Sequence, residues 1–240
     1  MPAGRPAKPS RARATARGQL SRAAIVRRTV ALADAEGVAA VTIRRLATEL
    51  RVTPMALYWH FPSKEDLLDA AVDAVLAEVA GVGAAGPWQR RFTALIEELV
   101  AALRAHQWVI AAGADRALMR EPGLEITDRA LDALRDGGFG PQAAANLARS
   151  VLHTVLGLVA GDPGPGPTRS AADVADQERR TRQRLESLPA DRYPRVVEAA
   201  APLAACADAD DYYRAGLDLL LAGVAALAPG SAQRPTAART

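Results

Sequence analysis

A single cysteine, Cys206, stands among 240 residues. That excludes an intramolecular disulfide framework and a cysteine-based zinc cluster, and leaves Cys206 most simply as a small buried apolar residue. Aromatic residues make up only 4% of the chain, and β-branched runs are few, which removes the usual sheet-forming material. No apolar run reaches the ~20 residues that a membrane-crossing helix needs. The longest candidate, residues 151–160, contains His153 and stops at Gly161 and Asp162. The amino-terminal end carries Arg and Pro where a signal peptide has its apolar stretch. The expectation is a soluble protein in a reducing, cytoplasmic setting with no membrane partner. The three histidines, His60, His106 and His153, show no metal-ligand spacing, and no nucleophile elbow, Gly-rich phosphate loop or carboxylate pair stands out. No catalytic residue, metal or cofactor is therefore expected, and an enzyme is disfavoured.

What is present is helix-forming and unevenly charged. Half the residues are apolar, enough for a real core, and Ala and Leu enter helices at little entropic cost. The formal net charge of +3 conceals an asymmetry: residues 1–60 hold 11 basic and 3 acidic residues, the remainder 19 and 24. A basic amino-terminal quarter on an acidic body points to a polyanion bound at one end. Residues 1–19, with five basic residues, no acid and no periodicity, read as a disordered arm. Arg5 within it is a candidate for the DNA minor groove, whose narrow A-tracts attract arginine. Helical periodicity begins after Ser21 and ends at Gly37. It resumes as short helices after Thr42 and Thr53, the latter running to about His60, and again after Ser63. Beyond a Gly/Ala-rich connection, apolar stripes predict a helix through Phe92 and Leu103, a segment from about Gln107, and helices over 121–135 and 141–160. Three more are predicted over 172–188, 193–204 and 210–227. The final residues, 229–240, read as a loose tail.

The informative stretch is TIRRLATELRVTPMALYWHFPSK, residues 42–64. Two short helices meet across a three-residue turn, with Leu46, Ala47, Leu50, Val52 and Leu57 inward and Leu57 and Phe61 in the core. This spacing fits a helix-turn-helix, whose second helix enters the major groove, and equally an ordinary helical hairpin. Arg44, Arg45 and Arg51 can replace counterions on phosphates. Thr42 and Thr53 each place a hydroxyl beside the free N–H groups of a helix start, where a phosphate oxygen binds. Tyr58, His60 and Lys64 add donors. Pro54, Met55, Ala56 and Trp59 form the exposed front, an apolar set suited to thymine methyls and groove shape.

These same residues resemble the tetracycline-repressor (TetR) family. The resemblance rests on Thr42-Ile43-Arg44-Arg45-Leu46-Ala47, Val52-Thr53, Leu57-Tyr58-Trp59-His60-Phe61 and Ser63-Lys64-Glu65-Asp66-Leu67-Leu68. It implies an all-α homodimer: a helix-turn-helix DNA-binding domain over 20–80, and a ligand-binding and dimerisation domain over 87–228. It implies a repressor released from a pseudo-palindromic double-stranded operator by a small-molecule effector, with Thr42, Arg44, Thr53, Ala56, Tyr58, Trp59, His60 and Lys64 at the DNA. Two departures stand out. Arg51 replaces the family's usual Gly, where a left-handed backbone costs a side-chain-bearing residue about 1 kcal/mol. Ala117 stands where the tetracycline repressor places a metal-binding histidine, so metal–tetracycline binding is not carried over. Trp108, Met119, Phe139 and His153 interrupt the Ala-rich helices of the body and are the candidate effector contacts, although His153 more simply reads as a core residue. The apolar helices 141–160 and 210–227 suit a four-helix dimer seam. The alternative function is a ligand-independent dimeric DNA-binding or architectural module.

Overall fold

The structure is a computed structural model. It describes residues 20–229 apart from 82, 84, 166–168 and 207, and apart from the side chains of 114–117. The arm, with Arg5, lies outside the described residues, as does the tail beyond residue 229. The described residues form twelve α-helices and no strand. They are α1 (Arg22–Glu36), α2 (Ile43–Leu50), α3 (Pro54–Tyr58), α4 (Lys64–Ala80), α5 (Trp88–Ala105), α6 (Trp108–Ala117), α7 (Glu121–Asp136), α8 (Pro141–Ala160), α9 (Ala171–Glu186), α10 (Pro194–Glu198), α11 (Ala200–Ala204) and α12 (Ala209–Ala226).

Caps written in the sequence set the first boundaries. The Ser21 hydroxyl accepts from the Ala24 N–H at 3.1 Å, and Gly37, at φ 81°, closes α1 by donating to Ala33. The Ser63 hydroxyl caps α4 by accepting from the Asp66 N–H at 3.0 Å, with Glu65 and Asp66 in the first turn where acids favour the helix dipole. Helix α4 is the centre of the molecule. It packs against α1, α5, α6 and α7 and buries Leu67, Ala70, Ala71, Val72, Val75, Leu76 and Val79. Each large apolar side chain so removed from water contributes about 1.5–3 kcal/mol.

Several elements differ from the sequence reading. Helix α3 ends at Tyr58 rather than near His60, because the His60 and Phe61 N–H groups both donate to the Leu57 carbonyl and swing Phe61 into the core. Helix α6 is broken at Gly113, whose φ of 104° no helix accommodates. The segment over 193–204 is two helices, since Pro202 has no N–H to offer the Glu198 carbonyl. Helix α8 runs for 20 residues with Arg149 as its sole charge, long and apolar enough by composition to cross a membrane. Its apolar run is nonetheless interrupted by Gln142, Asn146, Ser150 and Thr154, none of them charged. Cys206 is half-buried and its thiol donates to the Asp208 carbonyl at 3.0 Å, so it is not a core residue. His153 is exposed, not core.

Candidate nucleic-acid interface

The turn between α2 and α3 is closed by backbone alone. Arg51 is left-handed at φ 56°, ψ 42°, the sole side-chain-bearing residue with positive φ among those described. The Val52 N–H reaches the Ala47 carbonyl at 2.9 Å and the Arg51 N–H that of Thr48 at 3.2 Å, the paired bonds of a Schellman closure. Thr53 then caps α3, its hydroxyl accepting from the Ala56 N–H at 3.3 Å, with Pro54 in the first turn. Thr42 caps α2 in the same way, accepting from the Arg45 N–H at 3.1 Å. Each cap uses a lone pair of the threonine oxygen, so both hydroxyl protons remain to donate to an anion.

Leu57 and Phe61 are fully buried and anchor α3 from beneath. The opposite side is open: Trp59 is 85% exposed, Met55 66% and Tyr58 45%, while Ala56 is half-buried. An indole and a thioether exposed side by side form an apolar patch of the kind that marks an interaction surface. Arg22 holds the end of α3 in place. Its Nη1 donates to the His60 carbonyl at 2.8 Å, and its guanidinium lies 4.1 Å over the Phe61 ring. Nothing in the sequence marks this contact across 38 positions.

The cations divide into two groups. Arg45 donates to Glu49 at 2.6 Å and to Glu36 at 2.7 Å, and Arg28 reaches the same Glu49 at 2.5 Å. The hydrogen bonds from Arg28 and then Arg45 hold the Glu49 carboxyl below its ordinary value. Arg45 is thus a strut between α1 and α2, which corrects its reading as a phosphate cation; only its i,i+4 spacing to Glu49 was visible beforehand. Arg44 and Arg51 are exposed, and no intramolecular partner holds their guanidinium groups among the described residues. Lys64 is the first residue of α4.

The body holds a half-open cavity of about 440 Å³ between α5, α7 and α8. Met119 and His153 line it. Trp108 and Phe139 do not. Phe139 is buried edge-on against Trp88 at 5.8 Å. Trp108 instead donates its indole N–H to Asp34 of α1 at 2.7 Å, where His106 Nδ1 also meets the same carboxylate oxygen at 2.7 Å. Bulk alone cannot distinguish a cavity wall from a joint. A second joint ties α7 to α4: Arg120 reaches Asp69 at 2.8 Å and Asp73 at 2.7 Å, and Arg129 donates to the Val79 carbonyl at 2.9 Å.

Comparison with known proteins bears on both halves. The family model for bacterial regulatory proteins of the tetR family matches residues 25–71, and that for the tetracyclin repressor-like C-terminal domain matches residues 82–228. A helix-turn-helix-type transcriptional regulator of Saccharopolyspora erythraea is 34% identical over 139 residues, 58% of this chain and 59% of its own. The chain therefore spans less than two thirds of that curated relative. Among solved structures, the TetR family protein ActR of Streptomyces coelicolor in complex with actinorhodin aligns with a TM-score of 0.72 and 27% identity, over 87% of this chain and 98% of ActR. BioQ in complex with its double-stranded DNA operator aligns with a TM-score of 0.57 and 27% identity, over 87% of this chain and 99% of BioQ.

Proposed function

The chain belongs to the TetR family of bacterial regulatory proteins, and from that premise we propose that it is a homodimeric transcriptional repressor released from operator DNA by a small molecule. The observation that carries the DNA-binding part is the α3 face. Met55, Tyr58 and Trp59 stand in water above a buried Leu57 and Phe61, flanked in sequence by two capping threonines and by the unpaired Arg44 and Arg51. That set offers phosphate donors at its edges and an apolar front for thymine methyls. BioQ, similar in fold, is solved with operator DNA.

A second copy covers α8 and α12. Of the 18 residues of α12 only Tyr213 and Val224 are buried, and Leu219 is 79% exposed. A side chain at Gly216 would stand 2.6 Å from Leu158, so this glycine serves the packing of α12 on α8 within the chain. Gly157 and Gly223 face open space and leave room for a partner's helices. The domain limits follow: 20–80 for DNA and 87–228 for effector and dimer.

The cavity favours the ligand-responsive reading over the ligand-independent module, and ActR, similar over nearly its full length, is solved with a small molecule bound. Helix α7 lines the cavity with Ile126, Ala130 and Leu131 while Arg120 and Arg129 grip α4. An effector that prefers a shifted α7 therefore weakens operator binding by linkage. The test is selection of random duplex oligonucleotides by the purified full chain. Enrichment of a two-fold symmetric site, its half-sites about one turn or ~34–36 Å apart or somewhat more, supports the proposal. No preference for any duplex at moderate salt overturns it.

A further inference from the structure

The cavity wall is almost wholly hydrocarbon, with Phe92, Leu95 and Leu99 from α5, Ile126 and Leu131 from α7 and Leu152 from α8. Among the described residues no carboxylate lines it, and one residue of permanent charge does, Arg149. Its neighbour one helical turn on, His153, lines it too. Neither side chain has a hydrogen-bond or ion-pair partner among the described residues, whereas Thr127, the remaining polar lining residue, spends its hydroxyl on the Gly123 carbonyl at 2.9 Å. Elsewhere the body's arginines are widely committed: Arg91 to Asp132, Arg104 to Asp210, Arg120 to Asp69 and Asp73.

We infer that the cavity takes an apolar, drug-sized molecule bearing one acidic group, seated on Arg149 with His153 as a second donor. This rests on the cavity being the effector site proposed above. The volume suits such a ligand. The planar guanidinium, exposed at the mouth of the cavity, presents paired N–H groups that match a carboxylate or sulfonate. An unpaired arginine beside an apolar hollow gives an acidic ligand a charge-assisted hydrogen bond that the neutral analogue cannot make.

A matched pair of fluorescent probes tests this: 8-anilinonaphthalene-1-sulfonate and the neutral N-phenyl-1-naphthylamine, which share one skeleton. Fluorescence titration of the full chain is expected to show the sulfonate bound about tenfold or more tightly than the amine. In Arg149→Met that preference collapses to near unity while the amine keeps its affinity; Arg149→Lys restores part of it. Ala148→Phe, which fills the cavity, weakens both probes and so locates them. Equal affinities in the wild type, no binding of either probe, a ratio unchanged in Arg149→Met, or sulfonate binding untouched by Ala148→Phe each overturns the inference. Circular dichroism of every variant confirms its fold. DNA binding is titrated separately, so a protein that shows the sulfonate preference but binds no operator bears against the regulatory reading alone.

Discussion

At the scale of single residues, the candidate interface separates groups that grip from groups that build. Arg44 has no partner within the chain, so Arg44→Ala is expected to lower the slope of log affinity against log salt by about one unit for each subunit engaged. A slope unchanged in filter-binding titrations between low and moderate salt removes Arg44 from the phosphates. Tyr58→Ala should weaken operator binding by about tenfold, roughly 1.4 kcal/mol, without altering the melting temperature, since the side chain is nearly half in water. Arg51→Gly should act in two directions. It relieves the left-handed backbone and adds about 1 kcal/mol of stability, while a reduced salt slope reveals whether the lost cation met phosphate. The left-handed turn was legible because Arg51 stands where a glycine is expected. The commitment of Arg45 was not, because Glu36 lies nine positions away and a cation's spacing does not disclose whether an acid from another helix reaches it.

Helices were the most legible level. Ser21, Thr42, Thr53, Ser63 and Gly37 name their own caps, and the ends they predict hold. Misreadings fall where a local signal is overruled by a distant one, as when Phe61 turns into the core and shortens α3. The links between elements carry a testable pH dependence. Glu49, bridged by Arg28 and Arg45, has a folded pKa below its unfolded one. Its contribution is present above the ordinary carboxylate range, near pH 4.3, and is lost as pH falls through the depressed folded value. Glu49→Gln should therefore lower the melting temperature at pH 7, and the gap from wild type should close as the pH drops below about 4. A gap that is constant across that range shows that the bridge adds nothing to stability. The Asp34 joint with His106 and Trp108 escaped the sequence reading for a plain reason: its partners lie 72 and 74 positions away.

For the whole molecule, the decisive surface is the one formed by α8 and α12. Leu219→Glu places a charge where the dimer reading needs an apolar contact. The variant should sediment as a monomer and lose operator binding, since one half-site alone supplies half the phosphate contacts. A dimer that persists in analytical ultracentrifugation places the seam elsewhere. Periodicity showed that α8 and α12 carry broad apolar faces. It did not show which stripe serves the chain's own core, and the open space beside Gly157 and Gly223 supplies that distinction.

Helix α8 also has a double duty. Val151, Leu152 and His153 wall the cavity, while Gly157 further along the same rod faces outward. In a dimer joined through this rod, a molecule in one chamber would press on a helix that also meets the twin. Effector titrations of the dimer should then depart from a simple hyperbola, with a Hill coefficient other than one, and the monomer made by Leu219→Glu should return to it. The bound compound would be sensed by the pair, and each half would know the state of its twin.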